Sequence, residues 1–298
     1  VLSRRQRQMC IRDSKKSYRL CFKNVHKKMS FPKAKKRFGQ NFLNNKVVIN
    51  EITKVINVQQ DDIILEIGPG TGALTKNIIP LCKEITLIEI DFGLAMLLKR
   101  TLPEQQKINI LNIDALDFNP TQFMKNRRFR LVGNLPYNIS TPLIFHFLSF
   151  SPAVIDMHLM LQKEVVERII AQPGQKSYGR LSIMAQYQCD VHKLLDVDAT
   201  SFQPIPKVQS AFARLVPNSK ESPKAIDEKL LKTLVNQCFS KRRKILKNSL
   251  KSYLDNGIEF DNIIDLSLRP ENISIEEFVE LANKISEWEI QNLTGKQG

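Results

Sequence analysis

Asn134, Leu135, Pro136 and Tyr137 stand directly after the apolar run "RLVG", where a strand would end. The asparagine oxygen and the carbonyl of the residue before the proline are both hydrogen-bond acceptors. Pro136 restricts Leu135 to an extended conformation and so aims that carbonyl. Together the two acceptors can take both hydrogens of an exocyclic amine, such as N6 of adenine, and favour a more tetrahedral, nucleophilic nitrogen. Tyr137 offers a ring face on which an extruded base can stack, worth roughly 1 to 3 kcal/mol. A second set of residues lies upstream. Gly68, Gly70 and Gly72 of "EIGPGTGALT" let a ligand approach the backbone closely, because glycine has no Cβ and tolerates positive φ. Glu89 closes "TLIE", where a carboxylate can accept from two ribose hydroxyls, and Asp114 closes "ILNID", where one can accept from an adenine amine.

For these groups to converge, they must sit at one edge of a parallel sheet. The sequence supplies such a sheet, since from Ile63 to about Val216 short β-branched runs alternate with helical stretches, the pattern of an α/β domain. "DIILEIG", "EITLIEID", "INILNIDA" and "FRLVGNLP" read as four successive strands, with "TGALTKNIIPLC", "FGLAMLLKRTL" and "PTQFMKN" as the intervening helices. "AVIDMHLML" reads as a fifth strand, "QKEVVERIIA" as a helix, and "LSIMAQYQCDVHKLLDV" and "SAFARLVP" as late strands closing the sheet. Beyond Pro217 the texture changes to a polar linker and then to 3.6-residue periodicity without strand signals. The expected division is therefore an α/β domain over residues 29–217 and a small helical domain over 218–298.

The Glu-x-Gly-x-Gly-x-Gly form departs from the dinucleotide pattern and resembles the first motif of S-adenosylmethionine-dependent methyltransferases. "NLPY" is similar to the Asn/Asp-Pro-Pro-Tyr motifs of enzymes that methylate exocyclic amines of bases. With "KKRFGQNFL", "IEID", "MLQKEVVERI", "YGRLS" and "FQPIPKVQSAFARL", the chain resembles the KsgA family of small-subunit rRNA adenine dimethyltransferases from about Lys33 onward. The resemblance implies a Rossmann-like class I S-adenosylmethionine methyltransferase domain with a small C-terminal all-helical domain. It implies N6,N6-dimethylation of two adjacent adenosines in the 3′-terminal hairpin of 16S rRNA, within the immature 30S subunit, in the cytoplasm. Carried over, it gives Asn41, Leu43, Gly68, Glu89, Asp114 and Asn134 to the cofactor. Asn134, Leu135, Pro136 and Tyr137 would hold the adenine, and Phe202 would supply a second stacking face. Two alternatives stay open: an Erm-type 23S rRNA or DNA adenine methyltransferase, and a non-catalytic ribosome-assembly factor.

The net charge of +15 is compatible with an RNA partner, but its distribution matters. Residues 1–28 hold ten basic side chains against one acid and no apolar signal region. We expect this segment to be a non-native or disordered extension, with the natural start at Met29. "SKRRKILKNSLK" places Lys241, Arg242, Arg243, Lys244, Lys247 and Lys251 in an expected helix of the second domain, where they are candidates for phosphate contacts. The five cysteines and four histidines show neither Cys-x-x-Cys nor ligand spacing, so no metal and no disulfide framework is expected. No apolar run approaches the ~18 residues of a membrane span. A monomer is expected, since no excess apolar surface is readable.

Overall fold

The computed structural model describes residues 34–104, 107–218, 224–260 and 262–294. The expectation for residues 1–28 lies outside the described residues. In chain order the elements are β1 (Phe42–Leu43), α1 (Lys46–Ile56), β2 (Ile63–Ile67), α2 (Thr75–Ile78), β3 (Glu84–Ile88), α3 (Phe92–Thr101), β4 (Ile108–Leu111), α4 (Pro120–Met124), β5 (Phe129–Asn134), α5 (Ser140–Leu148) and β6 (Val154–Gln162). Then follow α6 (Lys163–Ile169), α7 (Arg180–Gln186), β7 (Cys189–Val197), β8 (Phe202–Gln203), β9 (Ser210–Pro217), α8 (Glu228–Ser240), α9 (Leu246–Ser249), α10 (Lys251–Asp255) and α11 (Ile275–Thr294).

Seven strands form one sheet in the order β4-β3-β2-β5-β6-β9-β7. From β4 to β6 every pairing is parallel, while β9 runs antiparallel to both β6 and β7. The chain winds outward from β2 through β3 to β4, then returns to lay β5 on the other side of β2. That reversal is a topological switch point, and ligands bind there, outside the carboxyl ends of the strands. β2 reads "IILEI" and is buried throughout, as a central strand covered on both faces must be. Apolar clusters cover the two faces, one around Phe129, Phe147 and Met157 and the other around Ile52, Leu87 and Phe212.

Local chemistry starts and stops the helices. Asn45 caps α1 by accepting from the amides of Val47 and Val48, and Asn57 ends it in the left-handed region at φ 52°. Asp91 caps α3, and Asn119 with Pro120 opens α4. α1 and α5 add to the elements expected from the sequence.

The structure departs from expectation in two segments. "LSIMAQYQCDVHKLLDV" is not one strand: its first part is helix α7, and the strand begins at Cys189. Ile183 and Tyr187, one helical turn apart, are both drawn into a third apolar cluster with Leu234, Leu246, Phe278 and Ile285. Tyr178 joins that cluster and donates its hydroxyl to the Ile273 carbonyl at 2.8 Å. The helical core therefore takes side chains from residues 171–187 as well as from those beyond 218.

The basic run 240–251 is likewise not one continuous helix. α8 stops at Ser240, and the chain turns so that Leu246 and Leu250 can be buried. The amides of Leu246 and Lys247 donate to the carbonyls of Leu268 and Leu266. Arg242 pairs with Glu271 at 2.6 Å and also donates to the Lys176 carbonyl, so it is a structural tie. Lys241, Arg243, Lys244, Lys247 and Lys251 remain exposed.

Among the described residues, no helix is long and apolar enough to cross a membrane, and no group of three or more His, Cys, Asp or Glu could hold a metal ion. Cys82, Cys189 and Cys238 are buried free thiols.

Candidate active site

At the carboxyl ends of β2, β3 and β5 lies a crevice lined by Ile67, Gly68, Ile88, Glu89, Asn134 and Leu135. The turn after β2 forms its floor, with Gly68, Gly70 and Gly72 at φ +63°, +59° and +79°. These left-handed values are the reason glycine is required there. A Cβ on Gly70 would meet the Phe42 ring at 3.1 Å, so the glycine also admits the segment lying over it.

Glu89, at the end of β3, is buried and accepts from the amides of Gly70 (3.1 Å) and Asp91 (2.9 Å). Burial pushes its carboxyl above the usual range, against those two bonds. Each oxygen keeps a further lone pair for a ligand hydroxyl. Asn112 donates to the carbonyls of Glu89 (2.7 Å) and Ile90 (3.1 Å), tying the ends of β3 and β4 together. Asp114 accepts from the Leu116 amide and lines the crevice between the half-exposed Ile90 and Ile113.

Asn134 ends β5. Its Nδ2 donates to the Asn41 carbonyl at 2.9 Å, and a carbonyl can only accept, so the amide's orientation is fixed. Among the described residues no donor reaches Oδ1, which remains the acceptor end at the crevice. The backbone beside it is tightly packed, since a Cβ on Gly133 would lie 2.9 Å from both the Ile67 carbonyl oxygen and a Leu135 methyl. The Tyr137 hydroxyl shares a 2.6 Å hydrogen bond with Ser210 at the start of β9, which holds the ring in place.

The loop before β1 crosses the crevice. Phe38, Gly39, Gln40, Asn41 and Phe42, all from the "KKRFGQNFL" stretch, line it. Of the residues expected at the site, Asn41, Gly68, Glu89, Asp114, Asn134, Leu135, Pro136 and Tyr137 meet around one space.

Two do not. Leu43 and Phe202 pair across β1 and β8, and both are buried in the core, Phe202 at 1% exposure. Alternation along β1 turns Phe42 to the ligand side and Leu43 away from it. The Phe202 ring is packed in the core and is not among the residues lining the crevice.

The profile of the family described as "Ribosomal RNA adenine dimethylase" matches residues 31–287. The chain belongs to the ribosomal RNA adenine dimethylase family. A relative from Legionella pneumophila (strain Lens), "Ribosomal RNA small subunit methyltransferase A", is 48% identical over 252 residues, covering 85% of this chain and 98% of that one. Among solved structures, a dimethyladenosine transferase from Plasmodium falciparum superposes with a TM-score of 0.72 at 28% identity, covering 83% of this chain and 98% of the other. The 23S rRNA methyltransferase ErmE gives a TM-score of 0.66 at 25% identity, covering 83% and 100%. The sheet order and the glycine turn thus sit in a dimethylase family whose class I methyltransferase fold these neighbours share.

Three contributors lie inside the quoted motifs without a role assigned from the sequence: Gly133, Asp91 and Glu66. Gly133 could have been found from its place inside "GNLPY". Glu66, the first residue of the glycine motif, is buried beneath the turn and accepts from the Thr75 hydroxyl at 2.7 Å. Burial pushes its carboxyl up to about 7, with the nearby Glu89 charge adding to the rise and the Thr75 bond opposing it.

An acid whose folded pKa is raised takes up its proton on folding, so its contribution is full below about 4.5 and is lost as pH climbs through about 7. Glu66→Gln should remove that loss. The stability of the variant relative to the parent should rise by on the order of 2 to 3 kcal/mol between pH 4.5 and 8. Urea midpoints at the two pH values measure this, and parallel curves would refute a buried, titrating Glu66.

Proposed function

We propose that the protein dimethylates N6 of two adjacent adenosines in the 3′-terminal hairpin of 16S rRNA, acting as a cytoplasmic monomer on the immature 30S subunit during ribosome biogenesis. The observation that carries this reading is the Asn134 amide, whose nitrogen is engaged by Asn41 and whose oxygen is left as an acceptor beside Leu135, Pro136 and Tyr137.

The crevice residues suit S-adenosylmethionine, which supplies an electrophilic methyl group. Glu89 would accept from the ribose hydroxyls and Asp114 from the adenine amine, while Ile90 and Ile113 would flank the purine. Gly68 would let the ligand approach the backbone, and Asn41 would close over it. On the substrate side, Asn134 Oδ1 and the Leu135 carbonyl would take the two N6 hydrogens, and Tyr137 would carry the base. Held this way, the amine nitrogen would be oriented toward the methyl group that the cofactor supplies, with Asn134 and Leu135 fixing its hydrogens and Tyr137 its ring. Such positioning can supply ~7 to 11 kcal/mol without a dedicated base.

The 48% identity to a protein named for the small subunit, against 25% to ErmE, favours small-subunit rRNA over 23S rRNA. Methyl incorporation into immature 30S subunits, 23S rRNA and duplex DNA tests the choice. The expected result is incorporation in the first alone, with mass analysis placing four methyl groups in the 16S 3′ fragment. Labelling confined to 23S rRNA or DNA would reject the proposal.

Phosphate contacts are assigned to the exposed Lys241, Arg243, Lys244 and Lys247, with Arg242 set aside for its bond to Glu271. Arg243→Ala with Lys244→Ala should weaken RNA binding and flatten its salt dependence by roughly 1.5 to 2 in log–log slope. Filter binding between low and moderate salt reads the slope; an unchanged slope would remove these residues from the interface.

A further inference from the structure

Asp91 lies beside the catalytic groups and carries none of the chemistry assigned so far, yet it is almost fully buried at 3% exposure. Its carboxylate gathers three donors. Lys35 Nζ donates to Oδ1 at 2.8 Å, Gln40 Nε2 to Oδ2 at 3.2 Å, and the Gly93 amide to Oδ1 at 2.9 Å. Two of these come from the segment over the crevice, and the third is the cap of α3. The Asp91 amide meanwhile donates to Glu89 Oε1 at 2.9 Å. Within the covering segment, the Lys35 amide donates to Gln40 Oε1 at 2.8 Å, so both clasping side chains belong to one small loop. One residue thus touches the group assigned to the ribose and the loop that closes above it. The loop's far end is held separately by the Asn134 bond to Asn41.

We propose that Asp91 is a positioning residue: with Lys35 and Gln40 it forms a clasp that locks the covering segment 35–42 onto the crevice and ties its closure to the Glu89 carboxylate. This rests on the crevice being the S-adenosylmethionine site. The clasp acts through residues that never touch the methyl group. It therefore governs how long cofactor and spent product stay bound, while the transfer step is left to Asn134 and its neighbours. Cofactor exchange requires the Lys35–Asp91 and Gln40–Asp91 bonds to open. Lys35 is half-exposed, so opening the clasp re-solvates its ammonium at low cost, and the clasp can cycle within turnover.

The test uses the full chain and two single variants. Asp91→Asn keeps an N-cap as good as aspartate. It turns the ionic contact with Lys35 into a neutral one and sets an amide nitrogen against Gln40. Lys35→Met removes the same contact from the loop side and leaves α3 untouched. Each should speed dissociation of S-adenosylhomocysteine, followed by stopped-flow displacement, by about three- to tenfold. Each should raise the KM for S-adenosylmethionine by a similar factor while kcat stays within about twofold. Hydrogen exchange of the amides of residues 38–42 should quicken in both.

The double variant should be no worse than the worse single, because both remove one contact. Dissociation at the parent rate in Lys35→Met, or multiplied effects in the double variant, would overturn the clasp. If the parent protein bound neither compound, the functional reading itself would fail, which is distinct from a parent that binds and variants that match it.

Discussion

Asn134→Ala is expected to abolish dimethylation while leaving subunit binding close to that of the parent. Removing a preorganised group aimed at the reacting atom typically costs about 10² to 10³ in rate. Here the loss has two parts. The acceptor for one N6 hydrogen disappears, so the amine is neither aimed nor polarised. The donor to the Asn41 carbonyl disappears as well, and one end of the covering segment is released. Asn134→Asp separates the two. Aspartate keeps an acceptor at the crevice but cannot donate to Asn41, and it sets a carboxylate against a carbonyl. It should retain measurable transfer with a raised cofactor KM, whereas alanine should lose kcat itself. Methyl-group labelling of immature 30S subunits gives the rates, and co-sedimentation gives the binding. Full turnover by Asn134→Ala would remove the amide from the mechanism.

What could be read in advance follows from how local each feature is. The glycine turn, Glu89, Asp114 and the Asn134–Tyr137 group are legible because each lies where a strand stops, and a parallel sheet brings all its strand ends to one edge. The clasp is not: Lys35 opens "KKRFGQNFL" and Asp91 closes "IEID", 56 residues apart, and nothing local to either motif shows that the two side chains meet. The inward turn of Phe202 is not legible for a reason built into strands: successive side chains face opposite ways, and the pairing with Leu43 shows which way the ring turns. The basic run 240–251 has a helical look in its charges, yet burying Leu246 and Leu250 outweighs continuing α8. Residues 181–187 carry enough β-branched and aromatic character to pass for a strand. The helical core claims Ile183 and Tyr187, and that demand comes from residues up to a hundred positions away.

Arg130→Met is expected to destabilise the whole fold by about 3 to 5 kcal/mol, the usual result of stranding a buried charge. Arg130 lies at the start of the strand that ends in Asn134, and all five of its guanidinium hydrogens are engaged. Nε and Nη2 grip Asp156 at 2.8 and 3.1 Å, Nη1 reaches Asp62 at 2.7 Å, and the rest go to the carbonyls of Asn57 (3.2 Å) and Ile56 (2.7 Å). Through it, β5, β6 and the end of α1 are joined. Asp156 is 1% exposed and is also contacted by Arg214 at 3.0 Å. Burial alone would raise its carboxyl, but the adjacent His158 imidazole and the Arg130 guanidinium outweigh it, holding Asp156 well below the usual carboxylate range. A depressed acid contributes stability above its unfolded pKa and loses it as pH falls through the folded value. Arg130→Met should therefore cost most near neutral pH and progressively less in acid. Adding Asp156→Asn should recover part of the loss, because the stranded charge goes with it. Urea unfolding at pH 7 and at about pH 3, below the unfolded carboxylate value, measures both. A single variant as stable as the parent would show that this buried network contributes nothing net, and that β5 is held in register by its apolar neighbours alone.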